Sequence, residues 1–270
     1  MKNLKILFVL LVVVAATIFI YSCAKDGSSS DSKAPDATVQ SRASDSACSP
    51  QTLFTEYTTC THQSRSNTPI TFALALGLYS TASNLFQMCP NLQVTVSYTF
   101  STCTNGSNGS TTHFIHNLSY DLNAMKAACP ALQTAINNHT ANGTLVSFLD
   151  MIDHEISMQT EYTEVFNATK DNKWKYLCED RGNYYSVKYI KNTCYKWVAV
   201  ANPETGKYEI HKRDCGGSVC CARSNDYCVE SYYNGEPNLV TGTPTHYQKF
   251  EGQCEVECTH DCGAPDPNSF

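Results

Sequence analysis

Fifteen cysteines in a chain of 270 residues restrict the fold of this protein more than any other feature of its sequence. Cys23 directly follows an apolar N-terminal run, and the other fourteen are spread over the rest of the chain. These fourteen are Cys48, Cys60, Cys89, Cys103, Cys129, Cys178, Cys194, Cys215, Cys220, Cys221, Cys228, Cys254, Cys258 and Cys262. In a chain exported from the reducing cytosol, an even number of cysteines predicts disulfide bonds. Spacing alone does not give their connectivity.

The N-terminus has the order of segments that is typical of a signal peptide. Lys2 and Lys5 precede an apolar run over residues 6–21, and a polar stretch follows. We therefore predict a signal peptide over residues 1–22 and an exported chain, in which the fourteen cysteines form disulfide bonds.

The end of the apolar run, Ile20-Tyr21-Ser22-Cys23, resembles a bacterial lipobox. Lys25-Asp26 is similar to a short form of the lysine-acidic surface-export tag of Bacteroidota lipoproteins. This resemblance implies that Cys23 is lipidated and becomes the mature N-terminus. It also implies a protein anchored in the outer membrane and exposed at the cell surface. The resemblance is confined to this region and extends to no part of the chain that we expect to fold.

An uncleaved signal anchor is the alternative, because the apolar run approaches the ~18 residues that can span a bilayer. Six Asn-x-Ser/Thr sequons agree with that alternative, since they would carry glycans in a eukaryotic secretory protein. The sequons begin at Asn105, Asn108, Asn117, Asn138, Asn142 and Asn167. The chain would then be a single-pass glycoprotein.

Residues 23–47 are predicted to form a flexible tether. The stretch after Cys23 is rich in serine and contains no aromatic side chain. Such a segment buries too little apolar surface to offset the entropy of ordering. A coil of this length spans roughly 25–30 Å on average, which would hold a folded domain away from a membrane.

The overall charge argues against one class of partner. The chain has 19 basic and 25 acidic residues, a formal net charge of −6, and no basic arm. Because affinity for nucleic acid depends on cations that neutralise phosphates, we predict no nucleic-acid partner.

The fold class that the patterns predict is α+β. Residues 48–172 are expected to form a mixed helix and strand domain, with a strand near 94–103 and helices over 71–88, 120–137 and 145–166.

Residues 173–270 are expected to form a cysteine-rich β domain, an antiparallel sandwich or open barrel. Its predicted strands include a pair over 184–190 and 194–200, and further strands over 207–213, 226–230 and 245–251. The adjacent Cys220 and Cys221 are expected to bond to different strands rather than to each other.

Possible metal ligands are few. His113-x-x-His116 offers two histidines, and Asp150 and His154 share a helix face through their i,i+4 spacing. Together they could supply nitrogen and carboxylate ligands to zinc. The chain has no His-Glu-x-x-His motif, and we expect His113 and His116 on a loop or strand edge, so we predict solvated side chains, no metal and no cofactor.

Two other catalytic patterns are absent from the sequence. It contains no Gly-x-Ser-x-Gly and no phosphate-binding loop. The tail cysteines Cys254, Cys258 and Cys262 surround His260 with spacing that would suit zinc in a reducing cell, but an oxidising compartment favours disulfides. No catalytic residue is therefore predicted.

Residues 173–213 combine positive charge with aromatic side chains. Such a surface could bind glycans by stacking on sugar rings. The aromatic residues are Tyr184, Tyr185, Tyr189, Tyr195 and Trp197. The alternative, which alternation along a strand favours, places these rings in the core and the lysines in water.

The sequence thus predicts a cell-envelope lipoprotein with a binding or structural role and no enzymatic activity. Its expected partners are the membrane, through the lipid, and a carbohydrate or another envelope protein. A metal-dependent hydrolase outside the cytoplasm is the competing function, and it requires His113, His116, Asp150 and His154 to meet at one point.

Overall fold

The computed structural model describes residues 48–71, 84–90, 92–179, 183–201, 203–204, 208–241, 245–254 and 258. The predicted signal peptide, Cys23, the tether and Cys262 lie outside these residues. So does most of the predicted helix over 71–88, of which only the last turns are described.

One mixed sheet organises the described chain, and a separate two-stranded ribbon lies beside it. The nine strands are β1 (Tyr57–Thr71), β2 (Gln93–Asn105), β3 (Thr111–Tyr120), β4 (Tyr185–Asn192), β5 (Tyr195–Ala201), β6 (Tyr208–Asp214), β7 (Cys220–Tyr233), β8 (Glu236–Thr241) and β9 (His246–Phe250). The sheet order is β1–β2–β3–β4–β7–β8, and β9 also pairs with β7. Strands β3 and β4 are parallel, and the other neighbours in the sheet are antiparallel.

Five helices accompany the strands in the described residues. They are α1 (Pro50–Leu53), α2 (Asn84–Met88), α3 (Leu122–Ala128), α4 (Pro130–Ala141) and α5 (Leu145–Asp171). The helix predicted over 145–166 is confirmed as α5, which continues five residues further. None of the helices in the described ranges has the length and apolar character needed to cross a bilayer.

The helix predicted over 120–137 is instead two helices, and Pro130 is the reason. A residue that precedes proline disfavours the helical conformation. Cys129 is accordingly extended, with φ −131° and ψ 96°, and ends α3. Pro130 then opens α4, because the first turn of a helix does not need its missing N–H. Asp121 caps α3 by accepting hydrogen bonds from the backbone N–H groups of Asn123 and Ala124.

The two faces of the sheet are covered differently. On the helix face, α5 packs with α3 and α4 against strands β2, β3, β4, β7 and β8 to form the main core. On the opposite face, the N-terminal segment 48–57 covers a smaller cluster. That cluster contains Cys48, Phe54, Tyr57, Cys103, Phe114, Ile190, Cys220 and Ala222.

The strand pairing predicted for residues 173–270 is wrong. Strands β4 and β5 do not pair with each other: β4 lies between β3 and β7, and β5 pairs with β6. The arrangement is a mixed sheet with a ribbon rather than an antiparallel sandwich or barrel. Because β3 and β4 are neighbours, the stretches expected as two domains contribute to one continuous sheet. An Asn234-Gly235 turn, with φ of 51° and 85°, joins β7 to β8 as a tight hairpin.

Disulfide bonds connect distant parts of this fold, as the cysteine count predicts. Six pairs join described cysteines to each other: Cys48–Cys220, Cys60–Cys103, Cys89–Cys129, Cys178–Cys228, Cys194–Cys254 and Cys215–Cys258. Cys221 is disulfide-bonded too, so all thirteen cysteines in the described ranges are oxidised. Cys220 pairs with Cys48, which confirms that the two adjacent cysteines do not bond to each other.

Candidate functional site

A group of buried polar side chains lies where α5 crosses β7. Arg223, Asn225 and Tyr227 alternate along β7 and therefore point to the helix face. All three donate hydrogen bonds to the carboxylate of Glu161 on α5, Arg223 Nη2 at 2.8 Å and the Tyr227 hydroxyl at 2.6 Å. Glu161 is fully buried and Arg223 is 4% exposed. The Glu161 charge raises the pKa of Arg223 although burial acts in the opposite direction, so the pair is ionised.

A small cavity with an open mouth lies beside this group. It is lined by His154 and Ser157 of α5, Tyr189 and Lys191 of β4, Cys221 and Arg223 of β7, and Tyr247 of β9. The register explains why these residues meet. Arg223 pairs with Tyr189 on one side and with Tyr247 on the other, so three neighbouring strands place them in a row. Lys191 is two residues after Tyr189 on β4, so the two side chains point to the same face of the sheet.

The cavity lining is positively charged. Arg223 is a cation and Lys191 is a second basic side chain, and none of the described residues that line the cavity is a carboxylate. Among the described residues, Lys191 has no hydrogen bond and no ion pair within 4.0 Å. Arg223 Nε is buried and also lacks a partner. Burial lowers the pKa of Lys191, and Asp153 partly offsets this effect.

His154 is neutral in this setting. Burial lowers its pKa to about 3, and the nearby Arg223 and Lys191 act in the same direction. Arg223 Nη1 lies 3.5 Å from His154 Nδ1 and 3.0 Å from the Ser157 hydroxyl. Because a guanidinium only donates hydrogen bonds, Nδ1 is the accepting nitrogen and the proton is on Nε2.

A second polar group fixes the β5–β6 ribbon to α5. Asp150 accepts hydrogen bonds from the Tyr195 hydroxyl and from Trp197 Nε1, both at 2.9 Å. Asp153 accepts from Lys212 Nζ at 3.0 Å and from the Tyr120 hydroxyl at 3.1 Å. The positive charge of Lys212 keeps the pKa of Asp153 below its usual value despite complete burial. This group is a docking contact inside the fold.

The four possible zinc ligands are not brought together. On the helix face, His113 Nδ1 forms a hydrogen bond with the Thr102 hydroxyl at 3.1 Å, and its ring stacks on Tyr185. On the opposite face, His116 Nε2 forms a hydrogen bond with the Ser101 hydroxyl at 2.8 Å. Asp150 and His154 belong to the two separate groups on α5. Nowhere in the described ranges do three or more His, Cys, Asp or Glu side chains form a group that could hold a metal ion.

The position expected for the two histidines is corrected by the structure. His113 and His116 lie on β3, which is an interior strand, rather than on a loop or edge. Burial lowers the pKa of each to about 4. The prediction of solvated surface histidines is therefore wrong.

The aromatic residues considered for glycan stacking do not form an exposed platform. Tyr185, Tyr189 and Tyr195 are buried. Tyr184 is half-buried, and Trp197 is half-buried with its N–H bonded to Asp150. The rings thus occupy the interior positions that strand alternation favours.

Sequence reasoning singled out Tyr189, His154 and, as a disulfide cysteine, Cys221, but it missed the other residues around the cavity. The run from Arg223 to Tyr227 contains polar residues at both odd and even positions, so it has no apolar alternation to mark an inward face. The pairing of β7 with both β4 and β9 brings Lys191 and Tyr247 close, and pairing between distant strands leaves no local pattern.

Comparison of the chain with protein-family models, with curated proteins and with solved structures gives no match in any of the three.

Proposed function

We propose that this protein is a cell-envelope lipoprotein, anchored in the outer membrane through Cys23 and exposed at the surface. Its role is to bind a ligand or partner rather than to catalyse a reaction. The tether over residues 23–47 holds the folded part away from the membrane.

The oxidised cysteines are the observation that supports this location most strongly. Disulfides persist in extracytoplasmic compartments and are reduced in the cytosol. All thirteen cysteines in the described ranges are bonded, and the bonds are distributed over the whole fold. Cys60–Cys103 joins β1 to β2, Cys48–Cys220 ties the N-terminal segment to β7, and Cys194–Cys254 ties the start of the ribbon to the chain after β9. A chain built in this way depends on an oxidising environment.

The geometry supports binding because the clearest feature of the site is a charged cavity. Among the described residues of its lining, the two basic side chains have no acid beside them, and the histidine is neutral. The described side chains do not combine a nucleophile with a base and an orienting acid around this cavity. Recognition of a ligand is the function that such an arrangement supports best.

Metabolic labelling tests the proposed location. The full-length chain is expressed in a bacterium that processes lipoproteins, with labelled palmitate, and compared with Cys23→Ala and with the control Ser22→Ala. We expect lipid on the wild type and on the control, loss of lipid in Cys23→Ala, and accumulation of the uncleaved precursor with globomycin. An unlabelled wild-type chain that retains residues 1–22 would contradict the proposal.

A further inference from the structure

We propose that the cavity between α5, β4, β7 and β9 binds a small oxyanion, namely a phosphate, sulfate or carboxylate group, between Lys191 and Arg223. This inference rests on the proposed binding role and not on the lipid anchor.

The charges around the cavity favour an anion. Lys191 and Arg223 line it from neighbouring strands, and Lys249 lies on the same face because it pairs with Cys221. Glu161, the acid that contacts Arg223, has its oxygens bonded to Arg223, Asn225 and Tyr227. Glu161 therefore balances Arg223. Asp153 acts on Lys191 from beyond 4.0 Å and is itself paired with Lys212 at 3.0 Å, so Lys191 has no close counter-charge among the described residues. Lys191 is half-buried, and a partly desolvated ammonium without a close counter-charge is unfavourable. An anion in the cavity would supply that counter-charge.

Several hydrogen-bond donors are available there. The Lys191 ammonium carries three N–H groups that contact no acceptor among the described residues, and Arg223 Nε–H is buried and unpartnered. Tyr189 and Tyr247 are paired with Arg223 on the two neighbouring strands, and neither hydroxyl has a hydrogen bond within the described chain. Oxygen atoms of a tetrahedral or planar oxyanion accept from several such donors at once, and charge-assisted bonds of this kind are the strong ones.

The donors are held in place by the fold. Arg223 is fixed through Glu161 and Ser157, and its guanidinium lies 5.0 Å from the centre of the Tyr189 ring. Tyr189, Arg223 and Tyr247 occupy paired positions on three adjacent strands. Cys221, beside Lys191, is disulfide-bonded. A site held in this way loses little conformational entropy on binding.

Calorimetric titration of the full-length, oxidised protein in detergent tests this inference. The probes are sodium phosphate, sodium acetate and glucose 6-phosphate at about pH 7 and low salt, which distinguish a free ion from an anionic group on a sugar. We expect saturable binding that weakens as salt increases. Lys191→Met should weaken binding about tenfold or more, because a charge-assisted contact is lost.

Two further variants allow a conclusion even if the Lys191→Met protein does not fold normally. Lys188→Met is the matched control, because Lys188 is also on β4 but its ammonium donates to the Ser224 hydroxyl on the opposite face. The affinity of this variant for the anions should stay within about twofold of wild type. Tyr247→Phe should weaken binding about threefold through loss of one neutral hydrogen bond.

The inference is overturned if none of the probes binds at up to about 10 mM, a concentration that saturates even a millimolar site. Equal affinity in Lys191→Met and the wild type would also overturn it. Binding that persists while palmitate labelling fails would remove the proposed location alone. Normal lipidation without anion binding would remove the cavity proposal alone.

Discussion

The two faces of the sheet are covered by different means. On the helix face, the 27 residues of α5 cover a large apolar core and also bury the ionised pair of Glu161 and Arg223. On the opposite face, the cover is the short segment 48–57, whose helix α1 has four residues. Phe54 packs there against Phe114 and Phe250, and Cys48–Cys220 ties the segment to β7.

This difference relates the length of the segment that covers a sheet face to the interaction that keeps the segment in place. The long helix α5 contains no cysteine and removes enough apolar surface to remain docked by packing, although Cys89–Cys129 adds a covalent link elsewhere on that face. A single short turn removes little surface, so the Cys48–Cys220 bond holds it. The candidate anion site lies on the helix face, next to the charged pair.

The largest effect is expected on the opposite face. In the chain-entropy model, removal of the Cys48–Cys220 bond, which closes a span of 172 residues, costs about 5 kcal/mol. The matched control is Cys60–Cys103, which spans 43 residues and whose removal costs about 1 kcal/mol less in the same model. Denaturant unfolding of Cys48→Ala/Cys220→Ala and Cys60→Ala/Cys103→Ala would measure both. Equal stability of the wild type and the first double variant would refute the covalent role of that bond.

The next effect concerns the charged pair on the helix face. Glu161→Gln leaves Arg223 buried without its counter-charge, so the free energy of unfolding should fall by about 3–5 kcal/mol. The double variant Glu161→Leu/Arg223→Met removes both charges and should recover most of that loss, because a buried pair and a well-packed apolar pair are similar in stability. Urea unfolding with disulfides intact provides the measurement. If the double variant is no more stable than Glu161→Gln, the pair itself stabilises the fold.

The smallest effect should appear on both faces as a loss of stability in acid. The folded pKa of His116, on the opposite face, is about 4, and that of His154, on the helix face, is about 3. Each lies below the ordinary histidine value near 6.5. The two neutral histidines contribute fully to the free energy of unfolding above about pH 6.5. This contribution is lost as the pH falls from about 6.5 to 4, because the unfolded chain takes up protons that the folded chain does not.

The expected slope is about 1.4 kcal/mol per pH unit for a fully buried histidine such as His116. Unfolding experiments from pH 7 to 4.5 would show it, and His116→Gln should have a shallower slope than the wild type. A free energy of unfolding that stays constant over this range would show that the buried histidines are protonated in the folded protein.

Local patterns predicted the parts of the fold that depend on neighbouring residues. The apolar periodicity after Leu145 gave α5, and the alternation from Val94 gave β2, because both patterns follow from one buried face. Strand β1 gave no such signal. Its 15 residues are mostly exposed polar side chains, and it lies at the edge of the sheet.

The candidate site could not be predicted because it depends on contacts between distant residues. Glu161 meets Arg223 across 62 positions of the sequence. The parallel pairing of β3 with β4 brings together strands separated by three helices. The number of cysteines predicted that they would form disulfide bonds, but it did not predict which cysteine pairs with which. For example, Cys89 and Cys129 each precede a proline and bond to each other.

The Cys48–Cys220 bond also constrains the order in which the disulfide bonds of this chain can form. A ribosome makes the N-terminal cysteine of this pair 172 positions before its partner exists. Until then Cys48 has no native partner, whereas Cys60 and Cys103, only 43 positions apart, can already pair with each other. Any early cross-link of Cys48 to one of them has to be reshuffled later. Efficient maturation of this chain therefore calls for a disulfide isomerase, and not for an oxidant alone.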